Sequence, residues 1–249
     1  MKAIVSDIHS NLPAFEAVLA DIESKNIDEI ICLGDIIGYG PQPIECIDLC
    51  YDFEANLLGN HEEAVLIGAV GFNPKAAAAV DWTRTQLIRE GVPEEEKNKR
   101  WNFLGEMKLR HDLEGGVSFV HGSPREPTRE YVFRSDIRDR EKMEAIFSGI
   151  DQVCFAGHTH TPGVFTVDGD YLTPQDCGGE WPIRKTRAFI NVGSVGQPRD
   201  GDIRSSYATF DGEKVSFHRI SYDVEKTVSV FSGIPELPSY LGLRLREGR

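Results

Sequence analysis

The chain begins with an apolar run that leads directly into two candidate metal ligands: Lys2-Ala3-Ile4-Val5-Ser6-Asp7-Ile8-His9. Short apolar runs bounded by polar turns are typical of buried strands in a sheet that is covered on both faces. Asp7 and His9 are two positions apart, so their side chains face the same way if the segment is extended. This stretch therefore predicts a buried strand that carries two ligand side chains at its end.

Four further segments repeat the pattern of an apolar run followed by a short polar motif. The runs are 30–33, 57–58, 117–120 and 153–156. The motifs that follow them are Gly34-Asp35, Gly59-Asn60-His61, His121-Gly122 and Gly157-His158-Thr159-His160. Open α/β sheets place their sites beyond the carboxyl ends of their strands, so we expect these side chains to converge at one edge.

The order of predicted elements changes near residue 108. Before it, strands alternate with helices, including a helical region over 74–104 that is predicted to break at 91–93. After it, most segments are predicted strands, beginning with a hairpin over 109–120. The sequence therefore predicts an α/β (α+β) fold, in which residues 1–249 form a single domain. Its architecture would be a four-layer αββα sandwich, with helices flanking two mixed β-sheets.

Two stretches do not fit this regular pattern. Residues 125–140 are rich in charge and also contain Tyr131 and Phe133, and residues 173–185 are rich in glycine and proline. Loops that cross a sheet edge often carry binding residues, so both stretches are candidate loops over the site.

Composition limits the class of partner. The net charge is −13, which argues against general binding to nucleic acid or to an anionic membrane. No apolar stretch approaches the roughly 20 residues that span a bilayer. The five cysteines, an odd number at scattered spacings, are typical of reduced thiols and predict a cytoplasmic protein.

The candidate ligands offer a mixture of nitrogen and oxygen donors: Asp7, His9, Asp35, Asn60, His121, His158 and His160. Such a set suits borderline divalent ions such as Mn, Fe or Zn better than Ca. A pair of cations roughly 3.5–4 Å apart can clamp a phosphoryl group during in-line displacement. We expect two divalent ions, with Mn favoured.

These motifs together resemble those of the calcineurin-like metallophosphoesterase superfamily. The residues that carry the resemblance are Asp7-x-His9, Gly34-Asp35-x-x-Gly38, Gly59-Asn60-His61-Glu62, Val120-His121-Gly122, Gly157-His158-x-His160 and Asn191-Val192-Gly193-Ser194. Any one motif is weak evidence, but the first five in this order are specific together. The resemblance implies an enzyme that hydrolyses phosphoester bonds.

The resemblance also assigns roles. It implies that one metal ion is held by Asp7, His9, Asp35 and His160, and the other by Asp35, Asn60, His121 and His158. A hydroxide that bridges the ions would attack phosphorus in line. His61 would be the catalytic residue, stabilising the transition state or protonating the leaving oxygen.

One departure from the family pattern bears on the substrate. Phosphoprotein phosphatases and dinucleoside polyphosphate hydrolases of the superfamily carry an arginine directly before the last glycine of the second motif. Here Gly38 and Tyr39 occupy this region. The chain is therefore more similar to the small prokaryotic phosphodiesterases, which implies a soluble phosphodiester or nucleotide as substrate. Arg125 and Arg199, each after a turn near a motif, are candidates to bind its phosphate.

Three alternatives stay open. The first is a phosphomonoesterase, including a phosphoprotein phosphatase, and the second is a dinucleoside polyphosphate hydrolase. The third is a non-catalytic interaction scaffold, which some proteins of this fold have become.

Overall fold

The computed structural model describes residues 1–183 and 186–249. The first part of the chain contains β1 (Lys2–Val5), α1 (Leu12–Ser24), β2 (Glu29–Cys32), α2 (Pro43–Asp48), β3 (Ala55–Asn56), α3 (Asn60–Ile67), α4 (Pro74–Leu87) and α5 (Glu94–Gly105). The middle contains β4 (Arg110–Leu113), β5 (Val117–Val120), α6 (Arg140–Phe147), β6 (Val153–Ala156), β7 (Gly163–Thr166) and β8 (Tyr171–Leu172). The last part contains β9 (Glu180–Pro182), β10 (Ala188–Asn191), β11 (Ser205–Phe210), β12 (Lys214–Ile220), α7 (Val224–Ser232) and α8 (Ser239–Leu243).

The described strands form two mixed sheets of six strands each. The first has the order β3-β2-β1-β11-β12-β9 and the second has the order β4-β5-β6-β10-β7-β8. Strands β1, β2 and β3 run parallel, and so do β5, β6 and β10. Each sheet therefore has a parallel part whose carboxyl ends lie along one edge, and the polar motifs follow those ends.

Alternation along each strand divides the apolar side chains between two layers. In β1, Ile4 packs between the sheets, where it joins Ile31, Phe119 and Phe155. Its neighbours Ala3 and Val5 face the opposite way and pack with helices α1 and α2. Strand residues alternate between the two faces, so a run that is apolar throughout is buried on both. Helices cover the outer faces, and the predicted four-layer sandwich is confirmed.

Most predicted elements have the expected type, but their lengths differ. The hairpin of β4 and β5 is confirmed, and so is the helix break between α4 and α5. Strand β3 is only two residues long and ends before the apolar run 57–58, where Leu57 pairs instead with Lys108 through a single bridge. The predicted irregular stretch 173–185 contains strand β9, and its residues 184 and 185 lie outside the described part.

Two predictions from composition, on membrane-spanning segments and on the cysteines, can be compared with the fold. Within residues 1–183 and 186–249, no helix is both long enough and apolar enough to cross a membrane. The five cysteines are all free thiols, and four of them are buried. Cys46, on α2, and Cys50, just after it, lie in the core.

Candidate metal centre and active site

The chain turns sharply at the ends of the ligand-bearing strands. Five of the seven predicted ligands have a left-handed backbone: Asp7 (φ 53°), His9 (φ 49°), Asp35 (φ 54°), His158 (φ 66°) and His160 (φ 60°). This conformation costs a residue with a Cβ roughly 1–2 kcal/mol. Such residues persist where the surrounding structure holds them, and they concentrate at functional sites. The backbone strain therefore marks the same edge that the motifs predicted.

The first group of ligand side chains comes from opposite sheets. Asp7 and His9 follow β1, and His160 follows β6 of the second sheet. His160 Nε2 lies 3.2 Å from Asp7 Oδ1 and 3.1 Å from His9 Nε2. All three side chains are buried, and their ligand atoms could hold one ion.

The second group of ligand side chains lies beside the first, and the Asp35 carboxylate is close to both groups. His121 Nε2 lies 3.4 Å from Asp35 Oδ2, 3.0 Å from His158 Nδ1 and 3.2 Å from Asn60 Oδ1. Asp35 Oδ2 is also 3.7 Å from His9 Nε2. Asp35 therefore lies between the two groups, as a bridging carboxylate would. The structure brings all seven predicted ligands to one buried centre.

The hydrogen bonds of the four histidines determine what the centre can hold. In each ring, one nitrogen bonds a backbone carbonyl at 2.6–3.2 Å: His9 to Ile37, His121 to Leu33, His158 to Arg129 and His160 to Gln197. Because this nitrogen carries the proton of a neutral ring, the other nitrogen points a lone pair inward. Facing lone pairs repel one another unless a cation or a proton lies between them.

The carboxylates of Asp7 and Asp35 add to this need for positive charge at the centre. Asp7 Oδ1 is fully buried and accepts no hydrogen bond within the described residues. Burial alone would raise the pKa of Asp7, but His160 beside it holds that pKa below its usual value. Although burial opposes it, the Asp35 carboxylate raises the pKa of His121 to about 9. The Asp35 carboxylate therefore favours a positive charge beside it. The donor set therefore fits two divalent ions, and deprotonated histidines would bind them.

Glu62 is a buried residue beside the centre, and the sequence predicted no role for it. It is fully buried in the first turn of α3. Its carboxylate accepts hydrogen bonds from the backbone N–H groups of Asp35 (2.8 Å), Ile37 (3.1 Å) and Gly59 (3.0 Å). Burial, and then the charge of Asp35, raise the pKa of Glu62 to about 7. Its position three residues after the N-cap residue Gly59 was the signal available in the sequence.

His61 lies among aromatic neighbours, and one of its ring nitrogens is also within 4.8 Å of ligand atoms of His9 and Asp35. Its ring centroid lies 4.4 Å from that of Tyr39, 4.8 Å from that of His9 and 5.0 Å from that of Phe72. The residue is 2% exposed, and burial lowers its pKa to about 4. A Cβ on Gly38 would lie 2.0 Å from His61 Nδ1. Gly38 therefore leaves room for this ring, which explains why no larger residue stands there.

An open pocket of about 300 Å³ borders the metal centre. It is lined partly by Tyr39, Phe72, Arg129, Tyr131 and His158. The Tyr131 ring stacks on that of His158 at 3.7 Å between centroids. The segment 125–140 therefore touches the centre. The sequence analysis weighed Tyr131 but not Tyr39, Phe72 or Arg129 as pocket residues, because their proximity is set by the tertiary fold.

The two candidate phosphate-binding arginines have different surroundings. Arg125 is paired through Nη2 with Glu130 at 2.5 Å, so its charge is largely balanced. Arg199 lies over the Tyr39 ring, with 5.7 Å between the guanidinium carbon and the ring centroid. It donates to Gln197 Oε1 at 2.7 Å, and no carboxylate in the described residues pairs with it.

Comparison with known proteins agrees with this geometry. Residues 1–214 match the calcineurin-like phosphoesterase superfamily domain, and the chain belongs to this superfamily. It is a metallophosphoesterase, a hydrolase with a buried histidine and aspartate centre that can hold two metal ions.

The chain matches relatives over nearly their full lengths. The chain is 37% identical to the uncharacterized protein MJ0912 of Methanocaldococcus jannaschii, covering 100% of this chain and 98% of the relative. It is 36% identical to a metallophosphoesterase from Sphaerobacter thermophilus, whose crystal structure matches with a TM-score of 0.82 over 100% of this chain and 99% of that one. A hypothetical protein, PH1004, from Pyrococcus horikoshii matches in fold, with 18% identity and a TM-score of 0.76 over 100% and 99% of the two chains.

Proposed function

We propose that the protein hydrolyses a phosphodiester or nucleotide substrate with two divalent cations, of which Mn is favoured. The main support is the inward convergence of imidazole lone pairs and carboxylate oxygens at a buried centre. One cation would be bound by Asp7, His9, Asp35 and His160, and the other by Asp35, Asn60, His121 and His158. When bound, such ions polarise phosphoryl oxygens and activate water.

The chain's own residues orient this chemistry. Glu62 fixes the backbone of the Asp35 turn, so the bridging carboxylate keeps its position. His61 lies beside the ligands without a buried hydrogen-bond partner on Nδ1, and it would protonate the leaving oxygen or stabilise its charge. The adjacent pocket would hold the group esterified to phosphorus.

Substrate class is proposed from the turn at Gly38. Gly38 and Tyr39 stand where the related phosphatases carry an aspartate and an arginine, so this turn supplies no arginine to bind the two charges of a phosphomonoester. A diester carries a single charge on phosphorus and needs less compensation. We therefore favour a diester over a phosphomonoester or phosphoprotein. A cytoplasmic location, suggested by the free thiols, is part of the same proposal.

Hydrolysis of bis(p-nitrophenyl) phosphate tests the proposed function. We expect turnover with Mn²⁺ and its loss with a chelator, followed by recovery when Mn²⁺ is restored. Rates with p-nitrophenyl phosphate and with dinucleoside polyphosphates should be lower. A protein that binds no metal and cleaves no phosphoester would instead be an interaction scaffold.

The proposed role of His61 has its own test. His61→Gln should lower kcat about 100-fold or more, because it removes a proton donor. Elemental analysis should still find both metal ions, since the resemblance places His61 outside the ligand set. His111→Gln, on β4, is the control and should keep wild-type kcat. Unchanged turnover in His61→Gln would eliminate this role.

A further inference from the structure

The cavity beside the metal centre is a cleft to which two loops contribute. The loop between α3 and α4 supplies Phe72, and the segment 125–140 supplies Tyr131. Asn60 and His158, two of the candidate metal ligands, line the same cavity. A group esterified to phosphorus at the metal centre would therefore extend directly into this cleft.

The segment 125–140 is fixed against one of those ligands. His158 Nε2 donates to the Arg129 backbone oxygen at 3.1 Å, and the Tyr131 ring stacks on the His158 ring with 3.7 Å between centroids. The Phe133 ring stacks on Tyr131 in turn, at 5.3 Å and with only 3° between the ring planes. These contacts hold Arg129 and Tyr131 beside the metal centre.

Phe72 has fewer ring contacts than Tyr131. Within residues 1–183 and 186–249 it makes one, edge-on with His61, at 5.0 Å between centroids and 76° between planes. Phe72 is only partly buried, and Val70, in the same loop, lines the same cavity and is 71% exposed. Aromatic rings bind planar groups well by offset stacking. Phe72 is therefore the aromatic side chain of the cleft that is best able to stack on a ligand.

Two polar side chains of the cleft have donor groups to spare. Arg129 donates through Nε to Glu63 Oε2 at 2.6 Å, and its terminal amino groups have no partner in the described part of the chain. Asn73 Oδ1 accepts from Lys75 N and Ala76 N at 3.1 Å each, and its Nδ2 makes no hydrogen bond to a described residue. A nucleobase presents acceptor atoms along its edge, whereas an aliphatic group would leave both donors unused.

The size of the cleft limits what it can bind. Its volume of about 300 Å³ is at the lower end of the range for small-molecule sites. This volume suits one nucleoside better than a run of nucleotides. The net charge of −13 also disfavours a long polyanion.

We propose that this cleft binds a nucleobase, which stacks on Phe72 while its edge accepts hydrogen bonds from Arg129 and Asn73. The inference rests on the proposed function, because the metal centre would hold the adjoining phosphate. It narrows the substrate class from phosphodiesters in general to nucleotides. Phe72 is then a residue that determines substrate specificity.

Adenosine 5′-monophosphate (AMP) and ribose 5-phosphate test the cleft, because they differ only in the base. Titration calorimetry of the Mn²⁺-loaded protein should give a dissociation constant about tenfold lower for AMP, which is within the range found for stacking of a base on an aromatic side chain. Phe72→Leu should remove most of this preference. Phe72→Tyr, which keeps an aromatic ring, should retain it.

Phe133→Leu is the matched control, because Phe133 stacks on Tyr131 but is not part of the cavity lining. It should keep the wild-type preference for AMP. An equal loss in Phe133→Leu and Phe72→Leu, or a full preference in Phe72→Leu, would overturn the proposal. So would a wild type that binds both ligands equally or binds neither.

Hydrolysis of bis(p-nitrophenyl) phosphate separates this inference from the proposed function. If the wild type cleaves that diester but does not prefer AMP, the nucleobase cleft is refuted and the proposed function stands. If AMP is preferred through Phe72 but no phosphoester is cleaved, the proposed function fails and the cleft is supported as a nucleotide-binding site.

Discussion

At the scale of single residues, the centre is built from backbone conformations that most residues avoid. Ligands at the strand ends have positive φ, and so does Ser10 directly after His9 (φ 54°). These turns redirect the side chains inward from strands that end in different sheets. Ser10 N donates to Ile36 O at 2.8 Å, and Gln42 N donates to Ser10 O at 3.1 Å. Hydrogen bonds between neighbouring turns thus hold the strained conformation in place.

Ser10 allows this strain to be measured. Ser10→Gly should give a higher free energy of unfolding than Ser10→Ala, by about 0.5–1 kcal/mol, because glycine adopts positive φ without a Cβ clash. Both changes remove the same buried hydroxyl, which has no hydrogen-bond partner in the described chain. Urea unfolding of the two variants gives the difference. Equal stability would mean that the backbone at residue 10 is not strained.

At the scale of elements, the first turn of α3 is the part that joins the two ligand groups. Its N–H at His61 donates to Asp35 Oδ1 at 2.9 Å, while Glu62 accepts from three backbone groups. An acidic residue near a helix N-terminus is also favoured by the helix dipole. The start of α3 therefore ties β2, the Asp35 turn and Asn60 into one rigid unit.

Replacement of Glu62 tests this element. Glu62→Gln should lower the free energy of unfolding by about 2 kcal/mol, because an amide presents one acceptor oxygen to three buried N–H donors. Glu63→Gln, in the same turn but paired with exposed Arg129, is the control and should change stability by less than about 0.5 kcal/mol. Denaturant titration measures both. Equal losses of unfolding free energy in the two variants would contradict the proposed role of Glu62 in holding this turn.

At the scale of the whole molecule, the two sheets present their ligands to each other across one edge. The first sheet supplies Asp7, His9 and Asp35, and the second supplies His121 and His160. Ion binding would therefore link the halves of the sandwich. Unfolding separates these ligands, so bound metal stabilises only the folded chain.

Metal addition should consequently raise the unfolding temperature. At a free Mn²⁺ concentration 100 times the dissociation constant, one site contributes about 2.7 kcal/mol to the free energy of unfolding. Calorimetry with Mn²⁺ and with chelator measures the shift. Asp35→Asn removes the shared carboxylate and should show a much smaller shift than the wild type. A wild-type unfolding temperature that is independent of metal would contradict the assignment of the centre.

Local sequence was sufficient for much of the fold because its signals do not depend on distant residues. The apolar runs predicted β1, β5 and β6, and the Gly91-Val92-Pro93 break separated α4 from α5. Helix α6 was not predicted, because its charged surface masks the three buried residues Met143, Ile146 and Phe147. Strand β9 was missed because its pairing partner, β12, is more than thirty residues away.

The sequence by itself determined the sandwich architecture and the set of candidate ligands, because apolar periodicity and residue spacing are local properties. The superfamily followed from the resemblance of its ordered motifs. Only the tertiary structure decided the inward direction of the imidazole lone pairs and the hydrogen bonds by which Glu62 holds the Asp35 turn. It also placed Gly38 against His61 and a C-terminal apolar cluster against Tyr39. These features depend on contacts between strand ends, loops and a C-terminal turn that are remote along the chain. Their distances are fixed only when both sheets and their covering helices are packed.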